Sequence, residues 1–189
     1  MSTSKISVIG GGSFGTVIAN ITAENGYDVS FWMRSESKAE QLNRTRENSQ
    51  YLPNYQLNER VVATSDMAAA VKDSSLIFVA VPSSSFRQVV RDMVPHLAQS
   101  TVLVSTTKGI ESGSFDLMTQ ILHQEAPNAK VGVLSGPNLA VEIAKKNLTG
   151  TVIASPDEQV RELVKSALKS TYFRVYANND MFGVELGGS

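Results

Sequence analysis

Three glycines, a strand-end arginine and a lysine in a Thr-Lys-Gly turn are the residues of this 189-residue chain whose types and spacing could do chemistry. Gly10, Gly12 and Gly15 form the pattern Gly-x-Gly-x-x-Gly, directly after the apolar run Ile6–Ile9 and before a helix-period stretch. That spacing suits a dinucleotide pyrophosphate. Gly10 allows a tight turn out of the strand, Gly12 lets the backbone approach a phosphate, and Gly15 lets the helix pack closely on the strand. The phosphate then rests on the helix N-terminus, where unpaired N–H groups and the positive dipole end favour an anion. Arg34 ends the next apolar run, where an NAD-selective site commonly has an acid to accept the ribose hydroxyls. A guanidinium there suits a 2′-phosphate instead, so NADPH is the preferred cofactor on this reading, with NAD as the alternative. Glu36 comes too late after the strand to be a good ribose acceptor.

Lys108 lies in Ser105-Thr-Thr-Lys-Gly-Ile-Glu111, after another buried run, and is placed to point a cation into the same crevice. It could hold a phosphorylated or carbonyl substrate and stabilise alkoxide charge during hydride transfer; Gly109 beside it allows close backbone approach. In Leu134-Ser-Gly-Pro-Asn-Leu-Ala140, Gly136 and Asn138 could present N–H and amide groups to substrate or nicotinamide, although Ser-Gly-Pro is also ordinary turn chemistry. Ser83 to Ser85, after Val81-Pro82, read as helix-cap residues in preference to cofactor contacts.

The elements that must position these residues follow from periodicity. Strands are expected at Ile6–Ile9, Val29–Met33, Leu76–Val81, Thr101–Ser105, Val131–Leu134, Thr151–Ala154 and Tyr172–Tyr176, with Val61–Thr64 a weaker candidate. Continuous apolar runs such as Leu76–Val81 suit parallel strands covered on both faces. Phe86, Val89, Val90 and Met93 follow helical spacing, as do Val160, Leu163, Val164, Ala167 and Leu168. The alternation indicates an α/β fold with a doubly wound, mainly parallel sheet. The polar stretch 34–59 breaks the rhythm and reads as a helix followed by a long loop.

Residues 1–179 are expected to form one nucleotide-binding domain. Asn178-Asn179-Asp180 reads as a helix cap, and 180–189 as the start of a helix leading to a further domain. Composition narrows the functions. No cysteine means no disulfide, thiolate metal site or thiol catalysis. A net charge of −1 with interspersed signs is no polyanion-binding footprint, so no nucleic-acid partner is expected. His96 and His123 read as surface or boundary residues, no ligand cluster suggests a metal, and no Gly-x-Ser-x-Gly elbow suggests a serine nucleophile. The first residues lack the apolar core of a secretory signal and no run reaches membrane-spanning length, so a cytoplasmic, non-transmembrane protein is expected.

Taken in order, Ile9-Gly-Gly-Gly-Ser-Phe-Gly15, Trp32-Met-Arg34, Tyr51-Leu-Pro53, Val81-Pro-Ser83, Thr107-Lys-Gly-Ile-Glu111, Ser135-Gly-Pro137, Phe173-Arg-Val-Tyr176 and Gly183-Val-Glu-Leu-Gly-Gly188 resemble one family. It is the bacterial type of NAD(P)-dependent glycerol-3-phosphate dehydrogenase, and the resemblance spans essentially the whole chain. It implies a Rossmann-like cofactor domain whose C-terminal helical substrate domain is absent from this chain. The family interconverts dihydroxyacetone phosphate and sn-glycerol 3-phosphate, supplying glycerophospholipid synthesis. By the resemblance, Ser13, Phe14, Arg34, Tyr51, Lys108 and Ala140 would contact the nucleotide, and Lys108, Gly136 and Asn138 the substrate. Its acid–base lysine would lie just past Ser189, so residues 1–189 would bind nucleotide and turn over little. Asn138-Leu139 departs from the family's usual Ser or Thr followed by Phe. A homodimer stays open. So do two rival readings, another reductase on the same architecture and a non-catalytic nucleotide sensor.

Overall fold

The computed structural model describes residues 5–188. The segment before Lys5, on which the secretory-signal expectation falls, and Ser189 lie outside the described residues. Eight strands form one sheet: β1 (Lys5–Ile9), β2 (Asp28–Trp32), β3 (Val61–Thr64), β4 (Ser74–Val79), β5 (Val102–Ser105), β6 (Lys130–Ser135), β7 (Thr149–Ala154) and β8 (Phe173–Asn178). Their spatial order is β3-β2-β1-β4-β5-β6-β7-β8. All neighbours are parallel except β6 and β7, which run antiparallel. The helices are α1 (Ser13–Glu24), α2 (Glu36–Thr45), α3 (Met67–Val71), α4 (Ser83–Met93), α5 (Met118–Glu125), α6 (Ala140–Ala144), α7 (Glu158–Ala167) and α8 (Met181–Leu186).

Strand periodicity of two creates two cores. Ile6 and Val8, Val29 and Phe31, Leu76 and Phe78, and Val102 and Val104 face one layer, where they meet α1, α2 and α7. Ile9, Ile77, Val79 and Leu103 face the other, under Phe86, Val89, Val90 and Met93 of α4 and Ile121 and Leu122 of α5. Full burial of residues such as Phe31, Phe78 and Phe86 contributes about 1.5–3 kcal/mol each. Ser7 interrupts the apolar run without an orphaned hydroxyl, because its Oγ lies 2.7 Å from the Ala70 carbonyl and 2.6 Å from the Ser74 hydroxyl.

Strand ends shift by at most two residues from the periodicity. Strand β4 ends at Val79, two residues early: Ala80 makes one more ladder bond, to the Ile9 carbonyl at 2.8 Å, and Pro82 caps the next helix. The weak candidate Val61–Thr64 is a genuine edge strand, paired to β2. Helix α6 starts at Ala140 and stops after Ala144, with Lys146 in the left-handed region at φ 59°. Asp180 caps α8 as expected, accepting from the Gly183 amide at 2.8 Å.

Candidate functional site

The carboxyl ends of β1, β2, β4 and β5 surround an open cleft of about 660 Å³. It lies where the strand order reverses at β1 and β4, the place where an open α/β sheet leaves a crevice for ligands. The three glycines of its loop do three different jobs. Gly10 has φ +127°, and a Cβ there would sit 2.2 Å from the Ala80 carbonyl oxygen. At Gly15 a Cβ would meet the Gly10 carbonyl oxygen at 2.1 Å, so the α1-to-strand approach requires its absence. A Cβ on Gly12 would meet nothing within 4 Å: this glycine faces open space, leaving its backbone to a ligand. Helices α2, α3, α7 and α8 are capped by Ser35, Asp66, Asp157 and Asp180, whereas α1 has no side-chain cap and no acid in its first turn. Its open amides and dipole favour an anion. The residues present therefore fit a dinucleotide.

The long loop after α2 is a wall of this cleft. Asn48 Nδ2 donates to the Gly11 carbonyl at 3.0 Å and lies 2.8 Å from Thr16 Oγ1, which itself donates to the Gly12 carbonyl at 2.7 Å. Ser13 Oγ donates to the Tyr51 carbonyl at 3.1 Å, which brings Tyr51 beside the glycine loop. Arg46 holds the loop's far side through the carbonyls of Val61, at 2.9 Å, and Asn58. Arg34 and Lys38 line the β2 end of the cleft, and Lys108 lines the β5 end.

Lys108 is carried on a braced turn. Thr106 and Thr107 tie the end of β5 to β4, with Thr107 Oγ1 donating to the Val81 carbonyl at 2.7 Å. Gly109 follows at φ +107°. Beyond it, Arg87 of α4 grips Glu111 through two nitrogens, at 2.8 and 2.7 Å, and also reaches Asp116 and Glu125. The Arg87 guanidinium, helped by Ser114, holds the Glu111 carboxyl down to about 2. Ser83 to Ser85 correct the capping expectation: Pro82 occupies the N-cap, and the serines form the first turn of α4, with only Ser85 reaching the cleft.

Of the residues singled out by sequence, Gly10, Gly12, Ser13, Phe14, Gly15, Arg34, Tyr51 and Lys108 converge on this cleft. Gly136, Asn138 and Ala140 do not line it; Gly136 and Asn138 occupy the next loop, between β6 and α6, and Ala140 opens α6. A Cβ on Gly136 would meet the Gly150 carbonyl and Thr151 Cα at 3.1 Å, which accounts for that glycine. Asn138 Nδ2 donates to Thr151 Oγ1 at 2.9 Å, while its buried Oδ1 has no hydrogen-bond partner among the described residues. Below this loop, the buried Glu185 of α8 accepts from the Thr119 amide at 3.1 Å and from the Thr119 hydroxyl, and burial pushes its carboxyl up from the usual range. Sequence reading missed Lys38 and Asn48. Lys38 carried a usable signal, a second cation four residues after Arg34; Asn48 carried none, since its partners lie more than thirty residues away. Among the described residues no His, Asp or Glu group forms a candidate metal centre, and no helix is long and apolar enough to cross a membrane.

A family model described as the NAD-dependent glycerol-3-phosphate dehydrogenase N-terminus matches residues 5–161. A glycerol-3-phosphate dehydrogenase, NAD(P)+, of Teredinibacter turnerae is 50% identical over 98% of this chain and 54% of its own length. The protein of that name in Pseudomonas syringae pv. tomato is 52% identical over 97% of this chain and 54% of its own length. A crystal structure of glycerol-3-phosphate dehydrogenase from Coxiella burnetii superposes with a TM-score of 0.93 at 33% identity, covering 98% of this chain and 57% of that one. The chain thus spans about half the length of the relatives it matches.

Proposed function

The chain belongs to the NAD-dependent glycerol-3-phosphate dehydrogenase family, and from that membership we propose that the whole protein interconverts dihydroxyacetone phosphate and sn-glycerol 3-phosphate for glycerophospholipid synthesis. The observation that carries this reading is one cleft with an uncapped, glycine-opened helix N-terminus at its centre and Lys108 at its β5 end. A bound nicotinamide supplies or accepts the hydride. Gly10, Gly12, Ser13, Phe14, Gly15, Arg34 and Tyr51 bind and orient the nucleotide, with Ala140 meeting it from the start of α6. Lys108 orients the substrate and spreads developing negative charge on its oxygen. Gly136 and Asn138 contribute substrate contacts, and the unpartnered Asn138 Oδ1 is an acceptor fit for a substrate hydroxyl. Residues 1–179 serve as the cofactor domain, and α8 begins the connection to a substrate domain that brings the acid–base lysine. Gly188 supports that placement, since a Cβ on it would touch Ser135 Oγ at the carboxyl end of β6. A cytoplasmic address fits this chemistry, and a homodimer is checked by sedimentation of the whole protein.

Calorimetric titration with NADPH and NADH tests the reading. Residues 1–189 are expected to bind nucleotide while reducing dihydroxyacetone phosphate little or not at all. Turnover at an ordinary enzymatic rate would disprove the external acid; absence of binding to both the fragment and the whole protein would disprove the cleft assignment.

A further inference from the structure

Lys38 stands in the first turn of α2, four residues after Arg34, and both line the cleft together with Ser35. A cation in that turn opposes the helix dipole, whose positive end lies there, so its charge costs α2 some stability. Its Nζ donates to Gln50 Oε1 at 2.6 Å, on the loop after α2. Gln50 is neutral and exposed, so an incoming anion competes for the ammonium without having to break an ion pair. No aspartate or glutamate lines the cleft among the described residues. The β2 end therefore presents two cations and lacks the carboxylate that would accept a ribose diol.

We propose that Lys38 is a second reader of the nucleotide's 2′-phosphate, acting with Arg34, and that Gln50 holds its ammonium at the cleft edge until the phosphate arrives. Arg34 offers a planar fork and Lys38 a mobile point charge, which together complement a phosphate dianion better than either alone. Selectivity for NADP over NAD is then shared between two residues four apart in sequence, one before α2 and one in its first turn. The inference rests on the nucleotide-binding reading of the cleft and specifies which end of the cofactor lies over α2.

Adenosine 2′,5′-bisphosphate and 5′-AMP differ only by the phosphate in question and serve as probes, with affinities measured by calorimetry. Wild-type protein is expected to bind the bisphosphate more tightly. Lys38→Ala is expected to weaken the bisphosphate about tenfold, the scale of one charge-assisted hydrogen bond, and to leave 5′-AMP within about twofold. Lys38→Arg should retain most of the affinity, and Gln50→Ala should leave bisphosphate binding equal or tighter. Equal loss for both probes in Lys38→Ala, or no loss for either, would overturn the inference while leaving the nucleotide site intact. A wild type that binds neither probe would overturn the nucleotide reading of the cleft, and the role of Lys38 with it. Thermal melts guard against misfolding: Lys38→Ala should melt no lower than wild type, because it removes a charge that opposes the helix dipole.

Discussion

The two ends of the sheet are finished differently. Around β1 to β5, close packing of backbone on backbone shapes the cleft: Gly10 against Ala80, Gly15 against Gly10, and the α2–β3 loop pinned by Asn48. Around β6 to β8, one antiparallel pairing, β6 with β7, interrupts the parallel sheet, and Leu139, Val141, Leu148, Tyr176, Phe182 and Leu186 remain exposed. One end is shaped by what the chain leaves out, namely side chains; the other presents side chains with little packed over them. Nucleotide binding on this fold is accordingly expected to be local and self-contained, and the proposed substrate chemistry to need surfaces beyond those described.

The comparison breaks most severely at the glycines. Gly15→Ala and Gly10→Ala drive a Cβ into backbone oxygen, and each should cost about 1–3 kcal/mol or more of stability together with nucleotide binding. Gly12→Ala should leave the melting temperature nearly unchanged, because its Cβ enters open space, yet weaken NADPH markedly. Parallel thermal melts and titrations of the three variants check this; a destabilised Gly12→Ala would contradict the assignment of separate roles. Next in size, Lys108→Ala should weaken NADPH roughly fivefold to tenfold while leaving adenosine 2′,5′-bisphosphate unaffected, since it lies at the opposite end of the cleft from Arg34. Equal weakening of both ligands would place Lys108 at the adenosine end.

A smaller effect tests the brace behind Lys108. The Glu111 carboxyl is held near 2, below its ordinary 4.5, so the stability it adds is full above about pH 4.5 and is lost as pH falls toward 2. Arg87→Ala should lower the melting temperature at neutral pH and flatten that acid limb, and Arg87→Lys should restore only part, because an ammonium cannot make the paired bond to Glu111. Melts across this pH range provide the check. The smallest effect is expected at Glu185, whose carboxyl is raised by burial. Its native form holds the proton more tightly than the unfolded chain, so its contribution is full below about 4.5 and declines as pH rises toward the raised native value. Glu185→Gln should remove that decline while keeping an acceptor for Thr119; an unchanged pH profile would assign the titration elsewhere.

Much of this was legible along the chain. Each of the eight strands was expected from an apolar run: central strands such as β4 and β5 are buried on both faces and need no alternation, whereas the edge strand Val61–Thr64 alternates buried and exposed residues, which is why its run was the weaker signal. Eight expected contact residues converge on the cleft for a simple reason: strand ends at a topological switch point meet whatever the loops contain. The assignments that slipped concern geometry not encoded in residue type. Ser83 to Ser85 have the chemistry of caps, yet Pro82 occupies the cap. Asn48 looks like any loop asparagine until Gly11 and Thr16, distant in sequence, are found beneath it. Lys38, a second cation four residues after Arg34, could have been noticed.

By itself the sequence determined the alternation of strand and helix, the glycine spacing and the cation in place of an acid at Arg34, since these depend on local periodicity and residue chemistry. Tertiary structure alone decided that β7 runs against β6, that the loop after α2 forms a wall, that Arg87 braces the Lys108 turn, and that Gly136, Asn138 and Ala140 lie on the neighbouring loop and the start of α6 rather than in the cleft lining. Those outcomes depend on which distant backbone groups come within hydrogen-bonding reach, and such contacts form only once both cores have packed.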